Sequence, residues 1–193
     1  ISHNPQSLLP TIKSRCRELR LRNLTESDLI NALRQINLSV PENEGAIYSL
    51  LAAGSVGNSI RLLEHDGAGL YRTILSFLNQ LPNLNGFELE KFVGTFTGTK
   101  NRSRLELVIE LLNTVIARIS KAGITGHNSE EIILEYEKEI FEKLCPTPAI
   151  AWKWAELAQT QSENLKHGLA VNLDPGPLIL DTFFRIEDCA KNG

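Results

Sequence analysis

The feature that most limits the fold of this chain is an apolar repeat between Asn101 and Gly123. Its members follow one another at intervals of three or four residues, the spacing that places side chains on one face of an α-helix. A helix with such a wide apolar stripe is stable only when neighbouring elements cover the stripe. The pattern therefore predicts an all-α bundle. The repeat consists of Leu105, Val108, Ile109, Leu112, Ile116 and Ile119.

The same spacing recurs further along the chain and predicts three more helices. The first is capped by Asn128 and Glu131 and ends at Cys145. A long element follows, and the last helix starts from an N-cap at Asp174 with Pro175 as its first residue. The predicted core residues of these helices are, in order, Ile133, Tyr136, Ile140 and Leu144; Ile150, Trp154, Leu157, Leu165 and Leu169; and Ile179, Phe183 and Ile186.

Shorter helices are predicted in the first 80 residues. Residues 7–16 predict a short helix and residues 18–22 a brief strand. Three helices then form a small bundle, the first of them capped by Thr25, and residues 68–79 are helical again. The apolar members of the three bundle helices are Leu29, Leu33 and Ile36; Ile47, Leu50 and Leu51; and Ile60 and Leu63.

Length and composition allow one or two domains. The chain has 193 residues, of which 42% are hydrophobic, and this is enough to bury a sizeable core. The asparagine-rich stretch from Pro82 to Gly86 has the composition of a linker. We therefore expect a domain boundary near residue 80.

Cysteine usage and hydropathy predict a cytoplasmic protein. The sequence has no apolar run of membrane-spanning length and no basic-then-apolar leader. Its three cysteines, Cys16, Cys145 and Cys189, are spread along the chain without the spacing of a disulfide framework or a zinc site. A chain that opens on Ile1 and contains no methionine is expected to be part of a longer protein.

No pattern in the residues predicts catalysis by this chain alone, or a cofactor or metal held within it. The four histidines, His3, His65, His127 and His167, are far apart, and neither GxSxG nor the phosphate-binding GxxxxGK[ST] occurs. The acidic runs 129–131 and 135–139 are expected to be solvated faces of amphipathic helices.

Positive charge is concentrated at the front of the sequence. Residues 1–22 carry a net charge of about +4, whereas the whole chain has −3, so the remainder is acidic. A surface that binds nucleic acid calls for clustered Lys and Arg on one face. Only the front end meets this requirement, and weakly, and the rest of the chain is acidic, so direct contact with DNA is not indicated. The basic residues are Lys13, Arg15, Arg17, Arg20 and Arg22.

One short motif in this basic front end carries a specific resemblance. Residues 8–13 have the sequence LLPTIK and are followed directly by Ser14, Arg15 and Cys16. The string resembles the end of the nucleotide-binding domain of clamp-loader subunits in the AAA+ family. The resemblance implies that Arg15 is an arginine finger, which reaches the ATP bound by a neighbouring subunit. The alternative is that Arg15 is a solvated cation at a helix end and Cys16 a small buried hydrophobe.

A second resemblance lies in residues 54–63, GSVGNSIRLL, which are similar to the sensor 2 segment in the three-helix lid of the same family. ATP-binding clamp-loader subunits place an arginine at the fourth position, which is Gly57 here, and Arg61 lies one helical turn further on. The departure implies a lid that does not read its own nucleotide, with ATP bound by partner subunits. The alternative is a simple helix break at Gly54 and Ser55.

A third, weaker resemblance is the sequence NLDP at 172–175, similar to the end of the clamp-loader collar domain. Together the three imply the end of an AAA+ domain over 1–17, a three-helix lid over 18–80 and a helical-bundle collar over 81–193. The implied partners are the ATP-binding and delta-type subunits, bound through the collar, with the sliding clamp and primer-template DNA contacted indirectly and no membrane.

Two other readings of the function stay open at this point. The first is an ATP-binding clamp-loader subunit, which is an enzyme, and Gly57 argues against it. The second is a helical interaction scaffold unrelated to ATPases, which gives Arg15 no role.

Overall fold

A computed structural model describes residues 8–17, 19, 21–96, 102–126, 134–170 and 175–191, without the side chains of residues 135, 165–170 and 175. Within these ranges all regular structure is helical, which confirms the predicted all-α class. The helices are α1 (Pro10–Lys13), α2 (Glu26–Gln35), α3 (Gly45–Leu51), α4 (Val56–Glu64), α5 (Gly67–Gln80), α6 (Gly86–Gly94), α7 (Arg102–Thr125), α8 (Glu135–Leu144), α9 (Pro148–Ala170) and α10 (Pro175–Lys191).

Helix α2 begins at the predicted cap. The Thr25 hydroxyl accepts a hydrogen bond from the Asp28 amide at 3.3 Å, which satisfies one of the otherwise unpaired amides of the first turn. Leu29 and Leu33 are buried as predicted. The helix ends at Gln35, so the third predicted core residue, Ile36, lies just beyond it and is 49% exposed.

The turn between α3 and α4 depends on Gly54. Its backbone adopts the left-handed conformation with φ +67°, and its carbonyl accepts a hydrogen bond from the Leu24 amide at 3.2 Å. A Cβ atom at this position would lie 2.6 Å from the carbonyl oxygen of Leu24 and 2.7 Å from its nitrogen. Only glycine fits both constraints, and the break between the two helices is built around this residue.

Helix α7 is the centre of the fold. All six residues of its predicted apolar stripe are buried, and Leu107, Leu111 and Val115 are buried as well, so more than one face of the helix is covered. Helices α5, α8, α9 and α10 pack around it. The predicted core face of α10 is also confirmed, since Ile179, Phe183 and Ile186 are fully buried.

Helix α5 connects the first half of the chain with the second. It packs against α3 and α4 and also against α7 and α8, so that one continuous hydrophobic core extends from Ile47 to Ile186. Its buried residues cover two sides of the helix. They are Gly67, Ala68, Leu70, Tyr71, Ile74, Leu75, Phe77 and Leu78.

The stretch predicted as a linker is a packed turn. Leu81 is buried, and the Leu84 amide donates a hydrogen bond at 3.2 Å to the Glu187 carboxylate of α10. Asn85 then caps α6 by accepting from the Glu88 amide at 3.3 Å. This helix was not predicted, and it packs against α10.

Helix α8 presents a different face from the predicted one. Tyr136 is 42% exposed, whereas Glu137, in the acidic run expected to be solvated, is fully buried. Ile140 and Leu144 are buried as predicted, together with Phe141. The inward stripe therefore runs through 137, 140, 141 and 144.

The predicted helix caps at Asn128, Glu131 and Asp174 lie outside the described residues, as do Ile133 and the side chains of Leu165 and Leu169. In α9, Trp154 is fully buried as predicted, and its indole N–H donates to the Leu144 carbonyl at 3.0 Å.

The front of the chain is less regular than predicted. Helix α1 has only four residues and no buried side chain. Of the residues predicted as a strand, the described ones, Leu19, Leu21 and Arg22, belong to no regular element. Leu19 and Leu21 are 83% and 86% exposed.

The Gly54 turn can be tested by substitution. We expect Gly54→Ala to lower the free energy of unfolding by about 1–3 kcal/mol, because the methyl group meets the Leu24 backbone and the left-handed conformation is strained. Urea denaturation followed by circular dichroism measures the change. Gly57→Ala is the matched control, since a Cβ at Gly57 meets no atom closer than 4.0 Å. Equal losses from both substitutions would contradict the proposed close approach.

Candidate functional site

Arg15 lies in the turn that directly follows α1. Its amide donates to the Ile12 carbonyl at 3.1 Å, and the Ser14 hydroxyl donates to the Thr11 carbonyl at 3.2 Å. Ser14, Arg15 and Cys16 are all exposed. Cys16 is a free cysteine at the surface, so its alternative interpretation as a small buried hydrophobe is wrong. The other half of that alternative, a solvated Arg15 at a helix end, agrees with the structure.

The Arg15 guanidinium is open to solvent. It makes no hydrogen bond or ion pair with any residue in the described ranges, and its neighbours Lys13 and Arg17 are also exposed cations. A planar guanidinium in this setting can donate two parallel hydrogen bonds to phosphate or carboxylate oxygens that another molecule brings to it.

Gly57 lies in the first turn of α4. The Ser55 hydroxyl caps this helix by accepting from the Asn58 amide at 3.4 Å, and Gly57 between them is exposed with open space around its Cα. One turn further on, the Arg61 guanidinium donates to the Glu110 carboxylate of α7 at 2.9 Å. The N-terminus of α4 therefore presents no cationic side chain of its own at Gly57, and Arg61 is directed towards α7.

The sequence-predicted residues are not brought together into one site. No hydrogen bond or ion pair joins residues 8–17 to α4 within the part of the chain that the structure describes. The predicted motif at 172–174 lies outside the described residues, as do His3, His127 and the side chain of His167. His65 is the C-cap of α4, and the described residues contain no group of side chains suited to hold a metal ion.

Sequence reasoning missed a buried polar network that connects three helices. Tyr71 of α5 donates a short hydrogen bond through its hydroxyl to one oxygen of the Glu137 carboxylate on α8. The other oxygen accepts from the Arg118 guanidinium of α7 at 2.9 Å. Tyr71 and Glu137 are fully buried, and the Arg118 side chain is 11% exposed. The guanidinium also lies 5.9 Å from the centre of the Phe141 ring, a cation–π contact.

The electrostatics of the network keep the Tyr71 phenol protonated. Burial raises its pKa far above the ordinary value of 10.0, because the low-dielectric interior disfavours the phenolate. The nearby Arg118 cation lowers the pKa and so opposes this rise. The Glu137 carboxylate, which accepts a hydrogen bond from the phenol, adds to the rise. The network thus consists of a neutral donor, an anion and a cation.

The signal for this network was present in the sequence but ambiguous. The predicted core face of α8 used Tyr136, Ile140 and Leu144, although Phe141 also lies at helical spacing from Leu144 and points to a stripe rotated towards residue 137. Tyr71 and Arg118, the partners that make burial of Glu137 tolerable, are distant in sequence. Periodicity alone cannot identify them.

A small cavity of about 240 Å³ lies between α5 and α8. Its lining includes Arg72, Tyr136 and Glu139. The Arg72 guanidinium is already engaged by the Glu44 carboxylate in a short hydrogen bond. We assign no reaction to this cavity, whose charged groups are of both signs.

Comparison of the chain with protein-family models, with curated proteins and with solved structures found no match. None of the described helices combines the length and the apolar character needed to cross a lipid bilayer.

The burial of Glu137 leads to a stability prediction. Glu137→Ala leaves the Arg118 cation and the Tyr71 hydroxyl without their shared acceptor, and we expect a loss of about 3–5 kcal/mol in the free energy of unfolding. Glu139→Ala, at an exposed position on the same helix, is the control and should change it by less than about 0.5 kcal/mol. Denaturant titration of both variants gives the comparison. If the two variants lose similar amounts of unfolding free energy, the buried network around Glu137 does not stabilise the fold.

The raised pKa of Tyr71 predicts a loss of stability at alkaline pH. Above pH 10.0 the unfolded chain releases the phenol proton while the folded chain retains it, so the unfolded state is favoured as pH rises. One such proton corresponds to about 1.4 kcal/mol per pH unit. We expect Tyr71→Phe to reduce the slope of unfolding free energy against pH by about half of this amount at about pH 10 and by nearly all of it at about pH 11. An unchanged slope in the variant would contradict the assignment.

Proposed function

We propose that this chain is a delta-prime-type subunit of a bacterial clamp loader, the assembly that loads the sliding clamp for the DNA polymerase III holoenzyme in DNA replication. In this role it binds no ATP itself. It supplies Arg15 as an arginine finger, in trans, to an ATP site on a neighbouring subunit. The observation that carries the proposal is the exposed Arg15 of the Ser14-Arg15-Cys16 motif, combined with Gly57 at the position where ATP-reading lids carry an arginine.

The exposure of Arg15 supports action on another molecule. A guanidinium held in an ion pair within its own chain would have to break that pair before reaching a phosphate, and Arg15 has no such partner in the described ranges. Its permanent charge and planar donors suit phosphate oxygens as negative charge spreads over them in the transition state of ATP hydrolysis. The chemistry then takes place at the neighbour's nucleotide.

The first turn of α4 supports a lid that makes no arginine contact with a nucleotide bound to the same subunit. A Cβ at Gly57 would meet no atom closer than 4.0 Å, so a side chain could begin there without a clash, yet the residue carries none. Arg61 is one turn away and is engaged by Glu110. These features argue against the alternative of an ATP-binding clamp-loader subunit.

The lid and collar assignment belongs to the same proposal. Residues 1–17 are taken as the end of the AAA+ domain, 18–80 as the lid and 81–193 as the collar. Helices α2, α3 and α4 are short and pack against one another, as a three-helix lid requires. The longest helices, α7 and α9, pack along each other in the second half of the chain, as a collar bundle requires.

Exposed aromatic side chains of the second half support assembly through the collar. Phe87, Trp152 and Phe184, on three different helices, are 77%, 71% and 49% exposed, and association with sister subunits would remove those that lie in the interface from water. We propose the ATP-binding and delta-type subunits as the partners, with the clamp and primer-template DNA contacted through them in the cytoplasm. The same surfaces also suit a helical scaffold unrelated to ATPases, which remains the second candidate.

The finger can be tested in the assembled complex. The full-length protein, either wild type or Arg15→Ala, is added to its partner ATPase, and ATP turnover stimulated by DNA and clamp is measured. We expect Arg15→Ala to lower this turnover at least about tenfold, because the transition-state charge loses a cation. Arg17→Ala removes another exposed cation two residues away and should leave turnover within about twofold.

Assembly of the same complexes, measured by size-exclusion chromatography, separates the two candidates. A complex that forms with Arg15→Ala but turns over ATP slowly supports the finger. If the complex still forms and Arg15→Ala leaves its ATP turnover unchanged, Arg15 is not an arginine finger. That result would favour a helical scaffold unrelated to ATPases.

A further inference from the structure

We propose that the buried network of Tyr71, Glu137 and Arg118 is a lock that holds helices α2–α5 on α7 and α8 as a single rigid unit. The inference concerns the coupling between the two halves of the chain and does not depend on the proposed clamp-loader role. It rests on the position of the network at the junction that α5 makes with α7 and α8.

A single carboxylate accepts hydrogen bonds from side chains of two different helices. Glu137 of α8 accepts the Tyr71 hydroxyl of α5 with one oxygen and the Arg118 guanidinium of α7 with the other. Hydrogen bonds of this kind weaken steeply with misalignment. Both bonds form together only when the three helices have one particular relative rotation and height.

The burial of the network indicates that its role is specificity more than strength. Removing a buried ion pair from water is costly, and a well-packed apolar replacement is commonly as stable. The other large buried residues of α5, such as Ile74, Leu75 and Leu78, are apolar, and apolar contacts are non-directional. Without the network, α5 would keep its attraction to the core but lose the contact that defines its position.

Among the residues that the structure describes, two other polar contacts cross the same junction, and both are exposed. Arg61 pairs with Glu110, with side chains that are 39% and 57% exposed, and the Lys143 ammonium donates to the Asn79 carbonyl at 2.7 Å. Solvent screens such surface interactions, and they contribute little to a fixed geometry. Within the described residues, the buried network is therefore the main directional contact across the junction.

Tyr71→Phe is the most selective test, because it removes only the hydroxyl that ties α5 and leaves the Arg118–Glu137 pair in place. In native-state hydrogen exchange of the full chain, we expect the amides of α2–α5 to exchange at least about tenfold faster than in the wild type. The amides of α7 and α9 should keep their wild-type rates. Tyr48→Phe is the matched control, since Tyr48 is a buried tyrosine of α3 outside the network, and it should not separate the two groups of helices.

A second measurement uses the two tryptophans, Trp152 and Trp154, both of which lie in α9. In denaturant titrations of the wild type, tryptophan fluorescence and far-ultraviolet circular dichroism should report one coincident transition. In Tyr71→Phe, part of the helical signal should be lost before the fluorescence changes. Two results would contradict the proposed role of the network. One is a pair of coincident transitions in the variant, and the other is hydrogen exchange that accelerates equally in α5 and α7.

A triple variant, Tyr71→Phe with Arg118→Met and Glu137→Leu, separates specificity from stability. It replaces the polar network with apolar side chains of similar size. We expect a folded protein in which α2–α5 exchange faster than α7 and α9. If all helices of this variant keep one common exchange rate, apolar packing alone couples the two halves and the proposal is wrong.

Discussion

The fold depends on the burial of α7 on more than one face. Twelve of its 24 residues are buried, so a single partner helix cannot cover it, and α5, α8, α9 and α10 surround it. Near its C-terminal end α9 approaches closely, and Ser120 donates a hydrogen bond to the Ala151 carbonyl at 2.9 Å. At Gly123 a methyl group would overlap the Cys145 sulfur, so the backbone itself forms part of the packing surface. The positions of the other helices follow from this enclosure.

The parts of the fold that could be predicted from sequence are those in which local pattern and tertiary environment agree. The stripes of α7 and α10 contain only apolar residues at helical spacing, and burial of these stripes is the only stable outcome. Helix α8 was assigned the wrong face because a carboxylate normally favours water. Glu137 can be buried because Tyr71 and Arg118 donate hydrogen bonds to its carboxylate. These partners are 66 and 19 residues away, so no local sequence pattern predicts them. Helix α6 escaped prediction because it is short and its first apolar residue, Phe87, is exposed.

The candidate site shows a similar division. The motif around Arg15 and the glycine at position 57 were visible as residues, and the structure adds that both are exposed and that Arg61 turns to α7. What the sequence did not contain is how Arg15 would be held in a catalytic geometry. Helix α1 has four residues and buries none of them, so it cannot fix the guanidinium relative to the bundle. Under the proposed function, that order has to come from contacts made outside α1.

The hydrogen bond between the Leu84 amide and the Glu187 carboxylate has a consequence for the order in which the chain folds. It joins residues 103 positions apart, and α6 finds its packing partner in the 17-residue helix α10 near the end of the sequence. Contacts among α2, α3 and α4 are local and can form as soon as those helices leave the ribosome. Helix α6 can contact α5 before α10 is made, since the Phe92 ring lies 5.4 Å from the Phe77 ring, but its packing against α10 and the Leu84–Glu187 hydrogen bond must wait for α10. During synthesis, the packing of α6 and of the turn before it is therefore completed only when α10 has formed.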